Sequence, residues 1–188
     1  MQKNKLVNLF VIVCLTLIVS CKKEVLPKPN AFLKLTYPEA TYVKVTSNCP
    51  YSFEISNQSK VDLTKNCWAT IRYPNLKATL HLTYRSVNNN LNEVLKEVEK
   101  LTFEHTIKAN AINVQPFENY EKNVFGTLYF VEGNVATNIQ FRVTDSTKNV
   151  LAGALYFYTR PNYDSILPAV KYIENDIKHL IESIEWKN

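Results

Sequence analysis

Glycine is scarce in this 188-residue chain, and its three glycines stand apart at Gly126, Gly133 and Gly153. A loop that cradles phosphate needs clustered glycines, and so does the sharp turn that carries the nucleophile of many hydrolases. Neither motif is present. The sequence therefore lacks the usual signatures of a nucleotide-binding protein and of an α/β-hydrolase.

Histidine is equally scarce, with His81, His105 and His179 far apart in the sequence. No His-x-His or His-Glu-x-x-His spacing occurs, so nothing indicates a metal site, and we predict neither a metal nor another cofactor. A glycosidase needs only two suitably spaced carboxylates, and a chain with 17 acidic residues leaves a hydrolase of that kind open. We nevertheless predict no catalytic residues and a protein that is not an enzyme.

The excess of positive charge is small, since 22 Lys and Arg residues face 17 Asp and Glu residues. Two of the lysines, Lys3 and Lys5, fall in a leader that we expect to be removed, which lowers the excess further. Proteins that bind nucleic acid have much more basic domains with clustered charge. We therefore predict no nucleic-acid partner.

The chain begins with a pattern typical of a bacterial lipoprotein. An apolar run starts near Leu6 and ends at Ser20, directly before Cys21. The run is shorter than the roughly 20 apolar residues that span a bilayer, and it predicts a signal peptide over residues 1–20. Cys21 would then carry the lipid, and two or three acyl chains would hold the protein on its membrane. An ordinary cleaved leader or an uncleaved anchor is the alternative.

Four cysteines are present, and their positions agree with export. Cys14 lies in the leader and Cys21 is the predicted lipid site, which leaves Cys49 and Cys67 in the folded part. An even pair in an exported protein predicts one disulfide. Two free buried thiols are the alternative, whereas two cysteines without nearby histidines are too few for a structural zinc site.

A short tether follows the lipidated cysteine. Residues 22–30 contain Pro27 and Pro29, which favour an extended backbone of about 3.1 Å per residue, or roughly 28 Å in all. We therefore divide the chain into a signal peptide at 1–20, the lipidated cysteine and Pro/Lys tether at 21–30, and a single globular domain at 31–188.

The periodicity of apolar residues predicts an α+β domain. Alternation with a period of two indicates strands, which we expect at 31–37, 51–56, 68–73, 76–85, 124–131, 135–144 and 151–159. Helical spacing indicates one helix from Leu91 to about Lys108 and another from Asp164 or Ser165 to the end, with Pro168 in its first turn. We predict a mainly antiparallel sheet of six or seven strands with two packed helices. The strand at 151–159 is apolar on both faces, which is typical of a central strand.

Tyrosines on the predicted sheet suggest an interaction surface. Flat rings beside adaptable polar groups are enriched at binding hot spots. The candidate residues are Tyr129, Arg142, Tyr156 and Tyr158, with Asn138 and Gln140 beside them. The alternative is that the second helix or a loop covers these rings, which would make them part of the core.

Several phrases of the sequence resemble the GldD gliding-motility lipoprotein family of Bacteroidota. They lie at 21–29, 33–38, 48–54, 144–148, 153–157, 161–165 and 176–182. The resemblance implies a non-enzymatic envelope lipoprotein that is needed for gliding and is coupled to type IX secretion. It implies other envelope proteins of that apparatus as partners, and it supplies no active site.

Three hypotheses follow for the function. The first is a scaffold or assembly factor that binds another envelope protein, and the second is a module that binds a glycan or a small molecule on its tyrosine-rich face. The third is a hydrolase without a recognisable motif. We expect the domain to face the periplasm, and because Lys22 follows the lipidated cysteine, we prefer the outer membrane to the inner membrane.

Overall fold

The computed structural model describes residues 36–104, 109–159 and 162–187, which form ten strands and two helices. The strands are β1 (Tyr42–Val45), β2 (Tyr51–Ser56), β3 (Lys60–Leu63), β4 (Ala69–Tyr73), β5 (Ala78–Ser86), β6 (Ala111–Asn119), β7 (Val124–Glu132), β8 (Thr137–Thr144), β9 (Asn149–Phe157) and β10 (Glu185–Trp186). The helices are α1 (Leu91–Glu104) and α2 (Tyr163–Ser183).

Seven strands form the main sheet, in the order β3-β4-β5-β9-β8-β7-β6, and every neighbouring pair is antiparallel. A smaller sheet has the order β1-β2-β10. The prediction of an α+β fold with a mainly antiparallel sheet and two helices is confirmed. The strand predicted to be central is β9, which is the fourth of the seven.

The core lies on one face of the main sheet. Alternate residues of the strands point to this face, where they meet the apolar stripe of α2 that includes Ile173, Ile177 and Leu180. Each fully buried aliphatic side chain contributes roughly 1.5–3 kcal/mol to folding. Tyr51 and Phe53 of β2 join the same cluster, so the small sheet is packed into the core of the domain.

The disulfide between Cys49 and Cys67 is present, and it joins the residues just before β2 to the turn before β4. It thus links the small sheet to the main sheet. The sequence separation of 18 corresponds to a stabilisation of about 3 kcal/mol in the chain-entropy account of cross-links.

Several predicted elements need correction. Thr36 and Tyr37 are not in a strand, and the rest of the strand expected at 31–37 lies outside the described residues. Strands β1, β3, β6 and β10 were not predicted. β1 and β3 have only four residues each, β6 is mostly exposed along its length, and β10 has two residues in a stretch that was expected to continue the last helix, which ends at Ser183. Residues 51–56 do form a strand, but it belongs to the small sheet.

The start of the last helix also differs from the prediction. Helix α2 begins at Tyr163, with Asn162 before it, so neither Asp164 nor Ser165 is the cap. Pro168 therefore lies in the second turn, inside the helix. A proline there has no N–H for the backbone bond to the preceding turn. The helix nevertheless continues past Pro168, because the apolar stripe on the opposite side of the helix is buried in the core.

Candidate functional site

The face of the main sheet that points away from α2 carries a row of polar and aromatic residues. The register pairs His81 with Ala154, Ala154 with Gln140, and Gln140 with Tyr129. Directly opposite residues of antiparallel strands project from the same face. These four residues of β5, β9, β8 and β7 therefore lie in one line across the centre of the sheet.

Helix α1 covers only part of this face. Val94 of α1 packs with Val87 and Val150 in a small apolar cluster. The amide nitrogen of Gln140 donates a hydrogen bond to the Thr102 carbonyl at 3.4 Å, which holds the end of the helix above β8. The start of the helix therefore rests on the first residues of β9, its end lies above β7 and β8, and the middle of β5 and β9 stays open.

Between α1 and the open part of the sheet lies a groove of about 600 Å³. Its apolar floor includes Ala152 and Ala154, and Val98 of α1 forms part of its wall. Volumes of 300–1,000 Å³ are typical of sites that bind ligands. We call this cavity the α1 groove.

Polar contacts border the α1 groove. Arg85 of β5 forms an ion pair with Glu97 of α1 at 2.8 Å, so it connects the strand to the helix. The Thr79 hydroxyl donates a hydrogen bond to the hydroxyl oxygen of Tyr158 at 3.1 Å. Because Thr79 is fully buried and the Tyr158 side chain is 66% exposed, this bond holds an exposed ring in a fixed position.

His81 and Tyr156 meet inside the groove with their rings edge to face, at a centroid distance of 5.7 Å. Burial, together with the positive charge of Arg72, lowers the pKa of the His81 imidazole below its ordinary value. Burial raises the pKa of the Tyr156 hydroxyl. Both shifts favour the neutral form near pH 7, so this part of the groove presents uncharged hydrogen-bonding groups beside aromatic surface.

The structure divides the predicted tyrosine surface. Tyr129 is only 3% exposed and lies under α1, where its ring meets Phe103 edge to face at 6.1 Å. Arg142 donates a hydrogen bond from Nε to the Tyr129 hydroxyl at 3.2 Å and faces Glu99 of α1 at 3.9 Å. Tyr129 is therefore part of the packing under a helix, and that helix is the first one, not the second. Tyr156 and Tyr158 remain at the groove.

The predicted polar neighbours also separate. Gln140 lines the α1 groove, whereas Asn138 is buried and donates hydrogen bonds to the carbonyls of Val131 and Gly133. Among the described residues, no group of three or more His, Cys, Asp or Glu side chains is placed to hold a metal ion. His105 and Cys21 lie outside the described residues.

His81, Thr83 and Arg85 share one face of β5, because side chains alternate along a strand. The structure places all three at the α1 groove. The alternation of β5 indicates their common face, whereas the position of α1 above that face depends on tertiary packing. The groove was therefore not predicted.

Comparison with known proteins identifies the family. No curated protein and no solved structure matches the chain. No helix within the described ranges is long and apolar enough to cross a membrane. A family model described as gliding motility lipoprotein GldD matches residues 22–186, which include the whole of both sheets and both helices. The chain therefore belongs to the GldD family of gliding motility lipoproteins.

Proposed function

We propose that this protein is a non-enzymatic component or assembly factor of the gliding machinery, coupled to type IX secretion, and that it binds another envelope protein at the α1 groove. The observation that carries the proposal is the half-covered central face of the sheet. Helix α1 covers Tyr129 but leaves Tyr156 and Tyr158 at an open groove of about 600 Å³. Aromatic side chains held beside neutral polar groups are typical of interface centres.

The predicted lipid on Cys21 supports this function. A lipid anchor confines the domain to one membrane surface, which raises its concentration near a partner in the same envelope. The family match begins at residue 22, one position after this cysteine. We propose the outer membrane as the location, with the domain in the periplasm.

Photo-crosslinking in intact cells tests the proposal. A photoreactive amino acid replaces Tyr158, whose side chain is 66% exposed at the groove, and in a matched strain it replaces Tyr120, which is 73% exposed in the turn between β6 and β7. Irradiation and mass spectrometry then identify the captured proteins. We expect the probe at position 158 to capture a motility or secretion component reproducibly, and the probe at position 120 not to capture it.

Equal capture of the same protein from both positions would contradict a specific role for the groove. The absence of any protein at position 158, in cells that glide normally, would also contradict it. Both probe variants must remain folded, which circular dichroism of the purified proteins checks.

A second candidate function is the binding of a glycan or a small molecule in the same groove. The volume of the groove favours it, as do the neutral hydrogen-bonding groups of Thr83 and Gln140 beside the Tyr156 ring. Titration of the purified protein with soluble envelope glycans, followed by NMR, tests this function. Saturable shifts at Ala154 and Tyr156 would support it, and the absence of shifts would exclude the glycans used.

A further inference from the structure

A second cavity, of about 420 Å³, lies on the α2 side of the molecule, between α2 and the chain that leads into β1. Its walls carry three tyrosine rings and two acidic side chains, and no Lys or Arg is among the lining residues. These side chains are Tyr37, Glu39, Tyr42, Tyr172 and Asp176. We call it the tyrosine cavity.

Asp176 is the unusual residue of this cavity, because it is a carboxyl group only 3% exposed. Its Oδ1 accepts a hydrogen bond from the Tyr42 hydroxyl at 3.0 Å. Its Oδ2 is buried and has no hydrogen-bond partner in the part of the chain that the structure describes. Burial raises the pKa of this carboxyl, although the hydroxyls of Tyr42, Ser56 and Tyr73 and the charge of His179 oppose the shift. A cation in the cavity would offset the remaining cost of burying this charge.

The tyrosine rings are held in place before any ligand binds. Tyr37 and Tyr172 stack with their centroids 4.6 Å apart, and the Tyr172 hydroxyl donates a hydrogen bond to the Pro38 carbonyl at 2.9 Å. Tyr42 stacks on His179 at 3.5 Å. Rings fixed in this way need little ordering when they bind a ligand, which favours affinity.

The chemistry of the lining selects the class of ligand. Aromatic faces attract cations, and cages of tyrosines are the common solution for ammonium groups. The charges of Asp176 and Glu39 disfavour an anion, and two carboxylates are too few for the oxygen shell of a calcium ion. We propose that the tyrosine cavity binds an organic ammonium group, with the rings of Tyr37, Tyr42 and Tyr172 around the cation and the charge of Asp176 beneath it.

The ammonium group can come from two sources: the ethanolamine headgroup of a membrane lipid or a soluble amine. In the sequence, Tyr37 follows closely after the tether that leads from Cys21. The lipid source rests on the lipid anchor of the proposed function, whereas the ammonium chemistry of the cavity is independent of it.

Titration of the full-length protein in detergent with ethanolamine and with choline tests the proposal by NMR. We expect saturable amide shifts at Tyr37, Tyr42 and Tyr172.

Three variants test the role of the acidic side chains. Asp176→Asn keeps the shape of the side chain but removes its charge, and we expect about a tenfold loss of affinity. Glu39→Gln changes an exposed residue, and we expect a smaller loss of about threefold. Glu118→Gln, beside Tyr120 and away from the cavity, serves as the control and leaves the affinity unchanged.

Nanodiscs distinguish the two sources. Shifts that appear in phosphatidylethanolamine discs but not in phosphatidylglycerol discs assign the ligand to the lipid headgroup, and shifts with free amines alone assign it to a soluble amine. No saturable shift with either amine, or equal affinity in wild type and in both acid variants, would overturn the proposal. Crosslinking at Tyr158 does not depend on this cavity, so the two proposals fail separately.

Discussion

At the scale of single residues, Asp145 shows how one carboxylate shapes a turn. Its Oδ1 accepts hydrogen bonds from the backbone N–H groups of Thr147, Lys148 and Asn149 at 2.8–2.9 Å. Its Oδ2 accepts another from the Asn149 side chain. The phrase at 144–148, which resembles the family, is thus the turn between β8 and β9. Its role in the fold is structural, since it fixes the start of the central strand.

We predict that Asp145 makes the protein sensitive to acid. Burial alone would raise the pKa of this carboxyl, but the N–H groups of Asn149, Thr147 and Lys148 outweigh it and lower the pKa below its ordinary value. A group whose pKa is lower in the folded state stabilises that state above its unfolded pKa and loses this contribution as the pH falls through the folded value. We expect Asp145→Asn to be less stable than wild type near neutral pH.

Urea unfolding at about pH 3 and about pH 7 measures the difference. The free energy of unfolding of Asp145→Asn should approach that of wild type as the pH falls. A constant difference across this range would contradict the assignment of the effect to charge. Asp62→Asn is the control, because Asp62 is exposed and pairs with Arg72 on the surface.

At the scale of elements, the packing of β9 against β8 depends on the absence of a side chain. Gly153 is paired with Phe141, and a Cβ atom at position 153 would lie 2.2 Å from Cε1 of the Phe141 ring. The ring thus fills the space where a side chain would stand. This explains why a central strand, otherwise rich in apolar residues, contains a glycine at its middle.

We predict that Gly153→Ala destabilises the protein by about 1–3 kcal/mol, because the added methyl group forces the aromatic ring out of its place in the core. Phe141→Leu should recover part of the loss when combined with Gly153→Ala, although it is itself destabilising. Urea unfolding of both single variants and the double variant measures this coupling. A neutral Gly153→Ala, or strictly additive effects, would contradict the account.

The elements also show what the sequence predicts and what it does not. The apolar residues of strands β7, β8 and β9 and of helix α2 recur with a clear period in the sequence, because each element buries an apolar face. The short β3 and the exposed edge strand β6 bury little, so their patterns are weak. The burial of Asp176 could be predicted from the sequence, since its spacing from Ile173 and Leu180 places it on the apolar stripe of α2. The α1 groove could not be predicted in this way, because it depends on where helix α1 packs on the sheet.

At the scale of the whole molecule, the two faces of the main sheet differ in how completely they are covered. Helix α2 and the small sheet bury one face in a continuous core. Helix α1 covers the other face with a smaller cluster around Val87, Val94 and Val150 and leaves the groove beside it. The domain thus combines one fully covered face with one face that holds an open groove. This arrangement is the basis of our proposal that the protein holds a partner at a membrane.

The most direct test of this claim is the gliding speed of cells whose only copy of the protein carries Ala154→Phe. Ala154 lies on the floor of the α1 groove, and a larger side chain there fills the groove without a change of charge. Val114→Phe is the matched control, because Val114 is 52% exposed on the edge strand β6. With equal protein levels and unchanged thermal unfolding, we predict that Ala154→Phe cells lose gliding and Val114→Phe cells keep it. Normal gliding of the Ala154→Phe cells would contradict the binding of a partner in the groove.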